Sequence, residues 1–342
     1  MAKFRKRSRV LDGKYEFDRP IDELETRLQE LEEFALTTSL DFSEHIDSLR
    51  QECDGLKRRL YSNLTPWQKV LVARHPNRPL AVDYVEMIFD DFLELHGDRA
   101  FGDDKAVLTG LARISDGEGS FKIMLVAHNK GRTMKEKMEC NFGCAHPEGY
   151  RKAILRMRLA EKFGLPILTF VDTPGAYPGV GAEERGQAFA IARNIMEMSE
   201  LRVPIVAVVI GEGGSGGALG ISVADRLCIL EYGYYSVISP EGCAAILWKG
   251  EENKQEEAAK ILKLTALDLK ELGIVDEIVP EPLGGAHRDH EEMASTLKKT
   301  IMRHLKDLSG TDVEKLFEER YAKLKKIGAY FENGALQASS HR

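Results

Sequence analysis

The densest potential chemistry in the chain lies where an apolar run, Ile205-Val206-Ala207-Val208-Val209-Ile210, passes into Gly211-Glu212-Gly213-Gly214-Ser215-Gly216-Gly217-Ala218-Leu219-Gly220. A buried strand that enters glycines and then a helix leaves main-chain amides as the active groups. Glycine lets a ligand approach the backbone closely, and the first amides of a helix point outward, unpaired and partly positive. Such a place suits an anion, or an atom becoming one. Three chemistries compete for these residues. Gly211, Gly213 and Gly216 fit a dinucleotide fingerprint, with Glu231 about twenty residues on. Gly213-Gly214-Ser215-Gly216-Gly217 also reads as the G-x-S-x-G elbow of a serine hydrolase using Ser215, with Asp276 and His287 downstream in the required chain order. The third is an oxyanion hole, which needs two convergent amides, one of them from a loop on a neighbouring strand. A second loop is available in Thr169-Phe170-Val171-Asp172-Thr173-Pro174-Gly175-Ala176-Tyr177-Pro178-Gly179-Val180-Gly181, which follows its own strand. Two such loops at the ends of adjacent parallel strands face one crevice.

Other residues invite chemistry with a blander reading beside it. Lys130, Arg132, Lys135, Lys137, Arg151, Lys152, Arg156 and Arg158 cluster in an acidic chain. They read either as a solvated helix face or as a grip on phosphates. Cys140, Cys144 and His146 lack the second ligand pair that a structural zinc requires, so no metal is expected in this chain. Tyr232, Tyr234 and Tyr235 read as strand-end packing residues rather than as the wall of a ligand site.

These residues need a scaffold to position them, and the chain has one. It holds 342 residues with 43% hydrophobic content, enough for a large core without disulfide staples. With 48 basic against 55 acidic side chains the net charge is −7, which argues against nucleic acid as a partner. Five cysteines form no spaced framework, no apolar run approaches a bilayer span, and the basic start has no signal-peptide centre behind it. A cytoplasmic protein without membrane contact is expected.

From Asp18 to Leu60 the apolar spacing predicts a helical hairpin, with Asp41 and Glu44 placed like a capping box for its second helix. The hairpin is either an arm packed on the body or an arm that contacts another subunit. From about Ala106 strands alternate with helices. Two strands flank Asp116-Gly117-Glu118-Gly119. There follow a helix over 147–163, a strand over 167–172, a helix over 182–199, and strands over 205–210 and 226–230. That rhythm is an α/β protein with a largely parallel sheet. A short strand within 272–280 and surface helices over 290–327 close the pattern. The expected division is an N-terminal hairpin arm at 1–65, a core at 66–289, and C-terminal helices and tail at 290–342.

Several segments together resemble the α subunits of the bacterial acetyl-CoA carboxylase carboxyltransferase. They are Asn141-Phe142-Gly143, Pro147 to Ala153, Asp172 to Gly179, Gly211 to Leu219, Tyr235 to Cys243, and Pro280 to Arg288. The resemblance spans roughly residues 15 to 325. It implies a crotonase-like fold of ββα units, and transfer of carboxyl from carboxybiotin on the biotin carboxyl carrier protein to acetyl-CoA, giving malonyl-CoA. It also implies an α2β2 assembly with a zinc-bearing β subunit, working with biotin carboxylase. Mapped by motif, the reacting amides would be those of Gly216 and Gly217, with Gly175 and Ala176 in the same crevice. Gly213, Gly214, Ala218 and Tyr177 would contact substrate; Arg151 and Lys152 are the members of the basic cluster that would hold the CoA phosphates under the phosphate reading of that cluster. The same fold serves enoyl-CoA hydratases, whose acid and base stand near the second glycine loop. Gly213 to Ala224 contains no Asp, Glu or His, which favours transfer. A non-catalytic scaffold role remains the other alternative.

Overall fold

The computed structural model describes residues 15–38, 40–249, 251, 253–328, 330–332 and 335–337. Helices α1 (Arg19–Thr37) and α2 (Ser43–Tyr61) pair as a hairpin, followed by α3 (Pro66–Ala73), α4 (Ala81–Ile88) and a short strand β1 (Asp91–Glu94). Next come β2 (Val107–Ser115), β3 (Ser120–His128), α5 (Met134–Glu139), α6 (Pro147–Lys162), β4 (Ile167–Thr173), α7 (Val180–Glu184), α8 (Gln187–Glu200) and β5 (Ile205–Gly214). Then follow α9 (Ser215–Leu219), β6 (Arg226–Leu230), β7 (Tyr234–Ser236), α10 (Pro240–Leu247), α11 (Gln255–Ile261), α12 (Ala266–Glu271), β8 (Glu277–Val279), α13 (His290–Ser309) and α14 (Val313–Lys326). A separate pair, β9 (Tyr330–Glu332) and β10 (Ala335–Gln337), ends the described chain.

Strands β1, β2 and β3 are antiparallel, and from β3 onward β4, β5, β6 and β8 run parallel. The β2–β3 turn falls where the sequence places it, because Gly117 takes φ +84 and Asp116 N–H donates to the Gly119 carbonyl at 3.2 Å. Every residue of β4 and β5 is buried, as expected of central parallel strands covered on both faces. On β5, Ile205, Ala207 and Val209 face a core shared with α6 and α8, whereas Val206, Val208 and Ile210 face one shared with α4 and α13.

Three expectations need correction. The helix expected over 182–199 is broken, because Gly186 takes φ +82 and separates α7 from α8. Strand β5 runs on through Gly214, so half of the glycine-rich segment is strand rather than turn. The C-terminal helices expected on the surface close the core. Helix α13 buries Met293, Leu297, Ile301 and Leu305 against the sheet.

Helix α14 is pinned by Arg320, whose fully buried guanidinium reaches both oxygens of Asp225 at 2.7 and 2.8 Å and the carbonyls of Met198, Leu201 and Val203. Arg320→Met strands the Asp225 charge in the interior. We expect a loss of about 3–5 kcal/mol in urea unfolding of the chain. A loss under 1 kcal/mol would mean that water relieves the carboxylate.

The hairpin is rooted at one end. Ile21, Cys53, Tyr61, Val72 and Tyr232 form a small core there, and Arg288 binds Asp18, just before the first helix, and Asp22 and Glu25 within it at 2.6, 3.0 and 2.5 Å. Further out, Leu28, Leu31, Ile46 and Leu49 are only half-buried between the two helices. The expected capping box gives way to a turn in which Asp41 accepts bonds from the Ser43 amide and hydroxyl. Among the described residues no helix is long and apolar enough to cross a membrane.

Candidate active site

The ends of β4 and β5 bring both glycine loops together. Their contact is backbone on backbone. A methyl group built on Gly217 would lie 2.5 Å from the Ala176 nitrogen and 2.5 Å from the Gly175 carbonyl carbon, and one on Gly214 would lie 2.1 Å from the Pro174 oxygen. No side chain fits at either position, which explains glycine there without reference to φ. Above the contact opens a cavity of about 420 Å³ walled by three segments: Pro174 to Pro178, Ser215 and Gly216, and Val237 to Ser239. Helices α7 and α8 complete the wall with Glu183, Gln187, Ala188 and Ile191.

The structure divides the expected site residues. Gly175, Ala176, Tyr177 and Gly216 line the cavity. The Tyr177 ring is braced by His146 at 4.1 Å between centroids, and its amide donates to Ala145 O at 3.0 Å. Gly216 and Gly217 lie in the first turn of α9, where helix geometry leaves N–H groups without intrahelical partners. The Gly175 amide, by contrast, is taken by Thr173 Oγ1 at 3.1 Å. Gly213 and Gly214 are buried strand residues paired with Tyr235 and Ser236, and the Ala218 methyl is in the core. These three lie beneath the cavity rather than in its wall.

Arg151 and Lys152 are also corrected. Lys152 is 1% exposed and its ammonium binds Asp103 at 2.6 Å and the Asp104 carbonyl at 2.8 Å. Arg151 is held by Asp98, Glu148 and the Arg185 carbonyl. Both knit the fold, and neither presents a free cation to a phosphate.

The residues that sequence reasoning missed lie directly under the loops. Glu212 on β5 is buried, and its Oε1 accepts from Arg74 Nε at 2.6 Å and from Tyr234 OH at 2.8 Å. Its Oε2 meets Lys130 Nζ, which also reaches Asp172 Oδ1 at 2.6 Å. The same Asp172 oxygen accepts the Glu212 amide at 2.9 Å. Arg74 continues to Glu241 at 2.5 Å, at the start of α10 just past the third wall segment. One charge network therefore ties together the stems of all three walls.

Burial pushes the Glu212 pKa up, but Lys130 and then Arg74 more than reverse this and hold it at about 2. Burial likewise pushes the Lys130 ammonium down, and Asp172 and Glu212 overcome it, so its pKa is raised. Behind them the His128 imidazole is kept neutral, with its pKa lowered to about 3 by burial and by Lys130. Its Nδ1 faces the Asp172 amide at 3.3 Å. Another missed residue is Glu183, the one carboxylate among the described residues of the cavity wall.

Ser215 adopts φ +54 at the turn from β5 into α9, a conformation costing on the order of 1–3 kcal/mol for a residue with a side chain. That is the geometry of a nucleophile elbow, but its partners are elsewhere. Asp276 accepts from the Leu227 amide at 2.6 Å and from Lys323 at 2.8 Å, next to a residue paired with Ala207 at the far end of β5. Roughly 25 Å of extended strand separates it from Ser215. His287 packs on His75 at 3.9 Å between ring centroids and lies 3.4 Å from Asp18. The hydrolase triad does not form. The dinucleotide fingerprint fails too, because Gly211 and Gly213 are in the strand rather than in the turn after it.

Of the tyrosines, Tyr232 packs on Tyr61, and Tyr235 OH meets Ser222 Oγ at 2.8 Å. Cys140 is buried against the Asn129 amide. Among the described residues, two groups bring three metal-ligating side chains together: Asp18, His75 and His287, and Cys228, Glu277 and His304. Each carboxylate already carries a guanidinium, Arg288 on Asp18 at 2.6 Å and Arg303 on Glu277 at 2.5 Å. A divalent ion would sit against that cation, so neither group is read as a metal centre.

Comparison with known proteins agrees with this geometry. The family described as acetyl co-enzyme A carboxylase carboxyltransferase-like matches residues 14–328. A protein of Geobacter metallireducens named acetyl-coenzyme A carboxylase carboxyl transferase subunit alpha is 55% identical over 317 residues, covering 93% of this chain and 98% of that protein. The protein of the same name from Thermus thermophilus is 53% identical, covering 93% and 99%. Among solved structures, the transcarboxylase 12S core superposes with a TM-score of 0.55 at 21% identity, over 69% of this chain and 42% of that one. The β subunit of geranyl-CoA carboxylase from P. aeruginosa gives 0.51 at 19% identity, over 73% and 46%. This chain thus spans less than half the length of those solved chains, and the likeness to them is one of fold, the crotonase-like α/β fold expected from the sequence. With more than half of its residues shared over nearly the whole length of its relatives, the chain belongs to the family of acetyl-CoA carboxylase carboxyltransferase α subunits.

Proposed function

We propose that this chain is the α half of a split, biotin-dependent carboxyltransferase, moving carboxyl from carboxybiotin on the biotin carboxyl carrier protein to acetyl-CoA. The product is malonyl-CoA for fatty acid synthesis. The observation that carries this reading is the meeting of two amide-bearing loops over a cavity whose wall, among the described residues, holds a single carboxylate. In the transfer, the nitrogen–carbon bond of carboxybiotin breaks, a bond to the methyl carbon of acetyl-CoA forms, and the methyl proton passes to the freed biotin nitrogen. No protein base is required. What the protein must supply is stabilisation of oxygen atoms that become negative, through donors aimed at the developing charge. The amides of Gly216, Gly217 and Ala176 are the proposed donors on the biotin side, each worth about 3 kcal/mol. Hydration of a CoA thioester would need an acid and a base, and among the described residues Glu183 has no second carboxylate across the cavity.

The enolate of acetyl-CoA falls to the β subunit in an α2β2 assembly, along with a zinc ribbon. Val237 lines the cavity at 81% exposure, and Val180 and Phe189, on the two helices that complete its wall, are 75% and 72% exposed, apolar surface that such a partner would cover. Biotin carboxylase completes the set of partners. All five cysteines are free, which fits a reducing cytoplasm. The test is malonyl-CoA-dependent carboxylation of a free biotin analogue, with this chain alone and with the β subunit added. Activity only in the mixture is the expected result. An assembled mixture that transfers nothing overturns the proposal.

A further inference from the structure

Resting on this functional reading, we infer that the Ser215 hydroxyl contacts the N-carboxylated cyclic urea in the cavity, donating a hydrogen bond to the oxygen on which charge develops. The backbone singles this residue out. Glycines occupy 211, 213, 214, 216, 217 and 220, and none of them has a positive φ. The one left-handed position in the run, φ +54, is instead filled by serine, although glycine is the residue such a conformation favours. A side chain is therefore kept at 215 against local preference.

Nothing among the described residues accounts for it. Ser215 is exposed, so it does not fill the core, and among the described residues its hydroxyl has no hydrogen-bond partner. It does not cap α9 either, since the capping position is Gly214 and no side chain bonds there. The oxygen of the other serine in the cavity wall, Ser239, already accepts the Gly242 amide at 3.0 Å. The Gln187 amide is bound to the carbonyls of Ala145 and Tyr177. Ser215 is an uncommitted hydroxyl of the wall, and it is adjacent in sequence to Gly216, whose amide opens the same cavity. A hydroxyl there adds a donor that can rotate toward the oxygen as charge grows on it. With no imidazole beside it the serine is not a nucleophile, and no covalent step is assigned to it.

The test uses the complete α–β complex and two variants, Ser215→Ala and Ser215→Gly, in malonyl-CoA-dependent carboxylation of free biotin. Ser215→Ala keeps the strained backbone and removes only the hydroxyl. Ser215→Gly removes the hydroxyl and the strain. Both should lose about 10- to 100-fold in kcat/KM for biotin, with the KM for malonyl-CoA unchanged. The glycine variant should unfold at or above the wild-type temperature, which keeps the test valid if the alanine variant is unstable. Wild-type kinetics in either folded variant overturn the inference. So does an equal rise in both KM values, which would report general distortion. A wild-type complex that assembles but transfers no carboxyl instead overturns the functional reading, and this inference falls with it.

Discussion

Gly217→Val should abolish carboxyl transfer while leaving the α–β complex assembled. A methyl at this position already comes within 2.5 Å of two backbone atoms of the opposing loop, so even Gly217→Ala forces Pro174 to Tyr177 to move. The clash is with main chain, which cannot rotate away as the end of a flexible side chain can. A displacement of about 1 Å at a reacting centre costs about 10²-fold in rate, and loss of an oxyanion donor about 10²–10³-fold. The expected fall in kcat is therefore at least about 10²-fold for alanine and larger for valine. Gly310→Ala, where the added methyl meets nothing within 4 Å, is the control for chain handling. Assembly is read by size-exclusion chromatography with the β subunit. Unchanged turnover of Gly217→Val in an intact complex would reduce this chain to a scaffold.

The second large effect belongs to Lys130. In the native protein its ammonium sits between Asp172 and Glu212, whose strands carry the two loops. Because the Glu212 pKa is depressed to about 2, its contribution to stability is fully present above the ordinary glutamate range. It is lost only as pH falls toward 2. Native turnover should therefore show no titration of this group from pH 5 to 9. In Lys130→Met two carboxylates face each other without the cation between them, and the pair takes up a proton at raised pKa. The sign then reverses: the variant is stable at acid pH and loses stability as pH rises. We expect a loss of about 3–5 kcal/mol and about 10²-fold in kcat near neutrality, with partial recovery of both toward acid. Replacing Glu212 as well, in Lys130→Met/Glu212→Gln, should restore much of the stability without any dependence on acid. A pH-independent defect in the single variant would show that the ammonium acts by packing alone.

Much of the cavity was legible in the residues because its defining features are local. A strand followed by glycines, and a second strand followed by Thr173-Pro174-Gly175, each announce a tight loop at a strand end. Parallel order then brings neighbouring ends together. The network below was not legible, since Arg74, Lys130, Asp172 and Glu212 meet only after folding. One signal was present: Glu212 is the sole ionisable residue between Val203 and Ala224, and a lone charge in a buried strand requires a partner. The basic cluster misled for the complementary reason. A charge run reports composition, whereas the fate of Arg151 and Lys152 depends on Asp98, Asp103 and Glu148, which come together only in the fold. Gly213 and Gly214 read as ligand contacts because a glycine run does not reveal where strand ends and turn begins, and Ala218 because it does not reveal which side of a short helix turns to the core.

Strand β5 changes partners along its length: Val206 to Val209 pair with β6, and Glu212 to Gly214 pair with β7. The two halves of the strand are thus fastened to different neighbours. The outer edge of the sheet, where β8 and the Arg320 anchor lie, joins the half remote from the cavity. Two hydrogen-bonded routes nevertheless reach the loops: from that edge through β6 into the Val206–Val209 half of β5 and on to β4, and from the start of α12, where the Tyr235 amide donates to the Leu264 carbonyl at 3.1 Å, into β7. A disturbance at the start of α12 is consequently passed to β7 beside the third wall segment, whereas one at β8 must cross β6 and β5 before it meets a loop.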